Sequence, residues 1–578
     1  MNREIYTENI QCADRTIPCD LVIKNVTVID VFQGSSFIAD VGIANGYIIG
    51  TGRYNGTTQI DGSGKYICPS LIDAHAHIES SFLTPNEYYK IALLHGITSV
   101  IADPHEIANV IGVTGINLML NLSRNIPFDY YYMLPSCVPS TAFEDSGAAI
   151  KNQDLENFYS NDKVLGLAEI MDYPAVSNLA PDMVNKLFTA VDRNCVIDGH
   201  GAGLNTRQLN TLSAAYIKTD HECHSAEEVL ERVRRGMYVL LREGTAAKNL
   251  IDLLPAITPA NSRRLCLCTD DKHIDEIIEN GSIDGSIRLG IQSGISPETA
   301  IQMATLNAAE CYNLKNKGAI APGYIADFII LNSLEDFSIE YVYKNGKQVV
   351  HNNKLVNITP PPSYFFSYKP SINIPMITEK TFEIPLLGKR FLNVIELIPN
   401  KLETKLFKCP ISSIPCTDYF YSLTKEDLLK IAVIERHKNT GNIGLGIIKG
   451  LQIKYGAIAT TISHDSHNLV VTGTNDRDMI IACKEIQKIG GGIVVVQNGE
   501  ILSSLRLEVA GLMTALPVKK VYSNLISLNK AIDKIAPGLS FNPTLALSFL
   551  SLPVIPELKI TDRGLFSVRD LSFITLTE

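Results

Sequence analysis

Short apolar stretches broken by turn residues fill positions 21 to 67. Leu21-Val-Ile-Lys-Asn-Val-Thr-Val-Ile-Asp30 is followed by Gly34, Asn45-Gly46 and Ile48-Ile-Gly-Thr-Gly52. Asn-Gly between β-rich segments predicts a hairpin. The pattern returns at 322–331 and at 341–350, the latter around Asn345-Gly346. Two such regions flanking a different centre are expected to pair into one small sheet domain.

Between 68 and 315 the pattern changes to apolar strands alternating with helix-like stretches. Eight strands are expected, at 67–76, 97–103, 128–134, 164–170, 195–200, 215–220, 237–242 and 264–270. Helix-like segments such as 226–235 and 297–314 lie between or after them. Eight βα units in about 250 residues match the rhythm of a (β/α)8 TIM-like barrel, an α/β fold. A doubly wound sheet is the alternative, but no Gly-x-Gly-x-x-Gly follows the first strand. Pro360–Pro362, Pro370 and Pro375 mark a linker, and a further α/β segment follows with strands at 456–463 and 492–497. The expected domains are therefore 1–67 with 316–375, then 68–315, then 380–578. The run Gly441-Asn-Ile-Gly-Leu-Gly446 lacks a following Lys-Ser/Thr and reads as a turn rather than a phosphate loop.

Composition narrows the setting. The chain has 578 residues, 46% of them hydrophobic, a formal charge of −10 and 12 scattered cysteines. The acidic balance argues against nucleic acid and anionic membranes as partners. No apolar run approaches the roughly 18 residues that span a bilayer, and the N-terminus does not read as a secretory signal. Without a Cys-x-x-Cys pair, reduced thiols in a cytoplasmic protein are expected.

The carboxyl ends of barrel strands are where catalytic groups sit. The first expected strand ends in His75 and His77, the fourth in Glu169, the fifth in His200; His221 follows the sixth, and the eighth ends in Asp270. Side chains two apart on a strand share a face, so both imidazoles of His-x-His reach one ion. A lone His-x-His is weak evidence; the same donor type at five strand ends is strong. Nitrogen and carboxylate donors suit Zn, Mn or Fe. Glu169 is the natural bridge between two ions, and Asp270 a ligand able to take the proton of the attacking water. Asp103, His105 and Glu106 after the second strand, Arg242 and Glu243 after the seventh, and Glu79, Asp271 and His273 lie next to these positions. Each either contacts substrate, orients a ligand, or caps a helix. His464-Asp465-Ser466-His467 is the strongest polar cluster outside the barrel. It covers the site's mouth, binds another metal, or forms a strand-end turn.

The stretch Pro69-Ser-Leu-Ile-Asp-Ala-His-Ala-His-Ile-Glu-Ser-Ser-Phe-Leu-Thr-Pro85 resembles the first-strand signature of the amidohydrolase superfamily, and His77-Ile-Glu-Ser-Ser that of its bacterial adenine deaminases. Similar agreement is found at 102–109, 166–171, 198–202, 219–222, 241–245, 268–273 and 463–468. The resemblance runs from about residue 20 to the end. It implies hydrolysis of adenine to hypoxanthine and ammonia in purine salvage, at a binuclear centre usually of Mn or Fe. His75, His77, Glu169, His200, His221 and Asp270 carry over as ligands. His105, Glu79 and Asp271 stand as proton donors or ring contacts; Asp103, Arg242 and His273 stand as further substrate contacts. The flanking β regions become a composite β-sandwich, and a homodimer or other homo-oligomer is expected. Ser70 departs from the family's usual Gly and threatens the shape of the turn there. Many superfamily relatives bridge their metals with a carboxylated lysine, whereas here Glu169 holds that place and Lys163 lies too early. A cyclic-amide or N-acetyl amidohydrolase is the rival reading. A non-catalytic purine binder would have no need of six ligands. The zinc deaminase design with Pro-Cys-x-x-Cys is excluded, since that motif is absent.

Overall fold

The computed structural model describes residues 2–359, 372–399, 401–415 and 418–578. Of the expected linker, Pro360–Pro362 and Pro370 fall outside the described residues. The two β-rich regions meet in a single nine-stranded sheet. The junction is antiparallel, Phe328–Ser333 against Tyr66–Pro69. Both Asn-Gly turns take positive φ at each residue, 51° and 79° at Asn45-Gly46, 50° and 71° at Asn345-Gly346. That is the geometry a two-residue hairpin requires.

The central region supplies eight parallel strands: β1 (Leu71–Ala76), β2 (Ile97–Ala102), β3 (Asp129–Leu134), β4 (Val164–Ile170), β5 (Val196–Gly199), β6 (Thr219–Asp220), β7 (Tyr238–Arg242) and β8 (Leu265–Cys268). They form a five-stranded sheet, β5-β4-β3-β2-β1, and a three-stranded one, β6-β7-β8. Backbone hydrogen bonds tie the two together at both edges. Lys218 N–H donates to Ile197 C=O at 2.9 Å, and Asp270 N–H to His75 C=O at 2.9 Å. β1 and β2 are buried along their whole length, as strands covered on both faces must be.

Three expectations change. The segment 67–76 is two strands, because Pro69 and Ser70 turn the chain from the mixed sheet into the parallel one. Ser70 fits that turn: it is buried, has no positive φ, and its hydroxyl bonds Thr98 Oγ1 at 2.6 Å. The sixth strand shrinks to Thr219–Asp220, since the helix Thr206–Ala214 runs late and Tyr216 turns the chain at φ 63°. The helical stretch 297–314 breaks into Pro297–Met303 and Leu306–Cys311 at Thr305, whose φ and ψ are −140° and −89°.

The C-terminal region is built on an eight-stranded sheet, with the helix Asp476–Ile489 against Ala457–Thr460, Leu469–Gly473 and Gly492–Gln497. The run expected as a turn at 441–446 is mostly strand, Ile443–Lys449. Only Gly441 turns, at φ 83°. Gly444 packs so closely on Thr561 C=O that a Cβ would lie 1.9 Å from it. Its glycine thus serves packing, not a loop.

Candidate metal centre

The carboxyl ends of the parallel strands bring together the six donors expected there. Alternation along β1 sends His75 and the following His77 to one side, with ring centroids 4.9 Å apart. Glu169, near the end of β4, divides its two oxygens between two groups of imidazoles. Oε1 lies 3.4 Å from His77 Nε2 and 4.0 Å from His75 Nε2. Oε2 lies 2.7 Å from His200 Nδ1 and 3.2 Å from His221 Nε2. Asp270 Oδ1 sits on the first group, 3.1 Å from His77 Nε2 and 3.5 Å from His75 Nε2.

These groups fit a divalent metal. Both ring nitrogens of His75 and Nδ1 of His221 are buried with no hydrogen-bond partner among the described residues, a costly state for protein atoms on their own. His77 Nδ1 faces the carbonyl of Asp103 at 3.1 Å. Its proton belongs there, leaving the Nε2 lone pair free toward the centre. Burial works against charge on Asp270, yet His75, His77 and Arg242 hold its carboxyl well below the usual range. Lys163 is at the other end of the strands, paired to Asp129 at 3.1 Å, so a lysine bridge has no place here.

The neighbouring candidates divide by position. His105, Arg242 and Asp271 line the small cavity over the donors, together with His77, Glu169, His200, His221 and Asp270. His105 is oriented by Asp103 Oδ2, 2.9 Å from its Nδ1. Arg242 is committed, donating to Asp270 Oδ2 at 2.9 Å and to Glu222. Ser80 Oγ donates to Asp271. Glu79 and Asp103 are set back from the cavity. Burial pushes Glu79 up to about 7, and its Oε1 accepts the N–H of Ile107. His273 lines a larger adjoining cavity of about 1170 Å³. The small cavity, about 40 Å³, shares Glu222, Ala247, Leu402, Phe549 and Ile555 with it.

Of two further acids that matter here, sequence reasoning gave Glu222 no role, and it placed Glu106 only among the polar groups beside the second strand. Glu222, directly after His221, takes the Arg242 ion pair and approaches His200 at 3.8 Å. Glu106, directly after His105, faces the C-terminal domain. For Glu222 the available signal was an acid immediately following a candidate ligand, His221.

The loop 463–467 of the C-terminal domain forms part of the cavity wall, with Leu402, Phe549, Leu552 and Ile555. Glu106 anchors it, with Oε1 2.6 Å from His464 Nδ1 and Oε2 against His467 Nε2. Ser463 N–H donates to His467 Nδ1 at 3.2 Å, so the proton of neutral His467 sits on Nε2 and points at Glu106. Glu106, His464 and His467 are also close enough together to hold a metal ion; as they stand, they form a clasp between the parallel-strand region and the C-terminal domain.

Two family models match the chain in succession: the amidohydrolase family over residues 66–349 and the adenine deaminase C-terminal domain over residues 410–572. Among curated relatives, an adenine deaminase of Geobacillus kaustophilus is 47% identical over 574 residues, covering 98% of each chain. Those of Bacillus pumilus and Bacillus subtilis are 45% and 44% identical over 580 residues, covering 100% of each chain. Likeness on this scale, running through the parallel strands and the C-terminal domain alike, means that the chain belongs to the adenine deaminase family of amidohydrolases.

Proposed function

We infer that this chain hydrolyses adenine to hypoxanthine and ammonia, cleaving a carbon–nitrogen bond in a cyclic amidine. The observation that carries the reading is the division of Glu169, one oxygen toward His75 and His77, the other toward His200 and His221. Such a division is what a carboxylate bridging two ions needs, in a chain 44–47% identical to adenine deaminases.

His75, His77 and Asp270 would hold one ion and His200 and His221 the other, with Glu169 between them. Divalent ions held there would acidify a bound water and polarise the bond under attack. The donor set suits Mn(II) first and Fe(II) second. Asp270 accepts the proton of the attacking water, and Arg242, on its other oxygen, keeps it aligned. His105 and Asp271, which face the cavity, contact the purine and return a proton to ring or amine. Asp103 positions His105 from behind, Glu79 holds the start of the following helix at Ile107, and His273 guides entry through the larger cavity.

The eight parallel strands, tied at both edges, read as a closed (β/α)8 barrel over 68–315. In their described residues, 1–67 and 316–375 are read as the composite β-sandwich beside it, and 380–578 as the C-terminal α/β domain. None of the described helices is long and apolar enough to cross a membrane. The described cysteines are all free, which suits a reducing cytoplasm; a homo-oligomer is expected.

Metal-loaded protein incubated with adenine should release ammonia. No ammonia at any Mn or Fe loading, beside activity on a cyclic amide, would overturn the reading. Metal analysis after anaerobic purification decides between Mn and Fe.

A further inference from the structure

The loop 463–467 follows the strand Ala457–Thr460 of the C-terminal sheet and is held on several sides. His464 N–H donates to Ser548 C=O at 2.8 Å, and Ser551 Oγ to His464 C=O at 3.2 Å. Arg436 Nε donates to His467 C=O. The His464 ring stacks on Phe549, with centroids 4.4 Å apart and planes 9° from parallel. From the barrel side, Glu106 takes both imidazoles, and the carbonyl of Asp145 accepts Asn468 Nδ2 at 2.8 Å.

Asp465 projects from this frame into the wall of the small cavity, alongside His105, Glu169 and Asp271. Its Oδ1 stands 3.9 Å from His105 Nε2. Its Oδ2 has no hydrogen-bond partner among the described residues, although Asp465 is only 3% exposed. A buried carboxylate oxygen left without a donor is costly, and the clasp around it leaves the loop little freedom to turn that oxygen away. Adenine carries N–H donors on its amino group and on its ring, and a base in this cavity would meet that oxygen.

Resting on the adenine reading above, we propose that Asp465 is a specificity-determining residue whose Oδ2 accepts a hydrogen bond from an N–H of the purine. The C-terminal domain then supplies part of the substrate site and is more than a cover. The clasp of Glu106 with His464 and His467 sets where that oxygen stands.

Asp465→Ala and Asp465→Asn in the full-length, metal-loaded protein test this through KM and kcat for adenine, bound metal, and calorimetric binding of hypoxanthine. Asp465→Ala should raise KM and weaken hypoxanthine by about 10- to 100-fold, the effect of losing one hydrogen bond to a charged group. Metal content and most of kcat should be kept. Asp465→Asn should recover part of the loss, because its amide oxygen still accepts. Unchanged KM and hypoxanthine affinity in Asp465→Ala, or loss of bound metal, overturns the proposal. So does an Asp465→Asn protein that fails to fold, since that change removes charge and hardly any volume. Wild-type protein that releases no ammonia, yet binds hypoxanthine through Asp465, would instead refute the deaminase reading alone.

Discussion

Buried charge gathers at both ends of the parallel strands, and the two ends treat it differently. At the amino ends, Asp129 and Asp327 share two lysines. Lys317 Nζ lies 2.9 and 2.6 Å from them, and Lys344 Nζ 2.7 and 2.6 Å. Asn345 N–H completes Asp327 at 2.7 Å. Each carboxylate there has its donors, and the network joins the mixed sheet to the parallel one. At the carboxyl ends, among the described residues, His75 has two unpartnered ring nitrogens, His221 one, and Glu79 and Asp465 one oxygen each. Two clusters of similar polarity are thus told apart by satisfaction. The saturated one ties the scaffold together, and the unsaturated one is the candidate site.

Breaking the unsaturated end should show first in turnover. Asp270→Asn takes away the carboxylate proposed to accept the water's proton and to ligate a metal, so kcat should fall by about a thousandfold or more. Steady-state ammonia release measured beside metal content checks this. Turnover like that of the wild type would end the role given to Asp270. His200→Asn should lower metal content and activity together, by at least about 10- to 100-fold in metal affinity. Metal retained in full while activity is lost would move His200 from ligand to substrate contact.

The contrast also says what a sequence can reveal. His75 and His77 were legible because strand alternation is a local rule, and Glu169, His200, His221 and Asp270 because each ends an apolar stretch. The Asn-Gly turns were legible for the same local reason. The clasp was not: His464 and Glu106 stand 358 positions apart, and nothing local tells either that the other is its partner. The split at Ser70 escaped for a related reason. Whether an apolar run serves one sheet or two depends on its neighbours in space, here the strand Phe328–Ser333. Gly444 and Gly446, expected in a turn, are strand glycines because Thr561 and Ile560 pack against them.

Breaking the saturated end should leave chemistry intact and cost stability. Lys344→Met strands Asp129 and Asp327 with one buried lysine, and removal of one partner from such a network costs roughly 3 kcal/mol. Thermal unfolding should report it as a lower Tm, with metal content and kcat at low temperature near wild type. Loss of metal in this variant would show the two ends to be coupled.

The smallest effect expected is the acid dependence of that stability. Burial works against charge on Asp129 and Asp327, but Lys317 and Lys344 outweigh it and hold both carboxyls below their usual value. A carboxyl depressed in the folded state binds fewer protons there than in the unfolded chain. Its stabilisation is therefore complete above the unfolded value of about 4 and drains away as pH falls through the lower folded value. Urea unfolding of metal-free protein between pH 5 and pH 3 should show wild-type stability falling more steeply than that of Lys344→Met, whose carboxyls are already less depressed. Parallel slopes would mean that the lysines satisfy those carboxylates without shifting their titration.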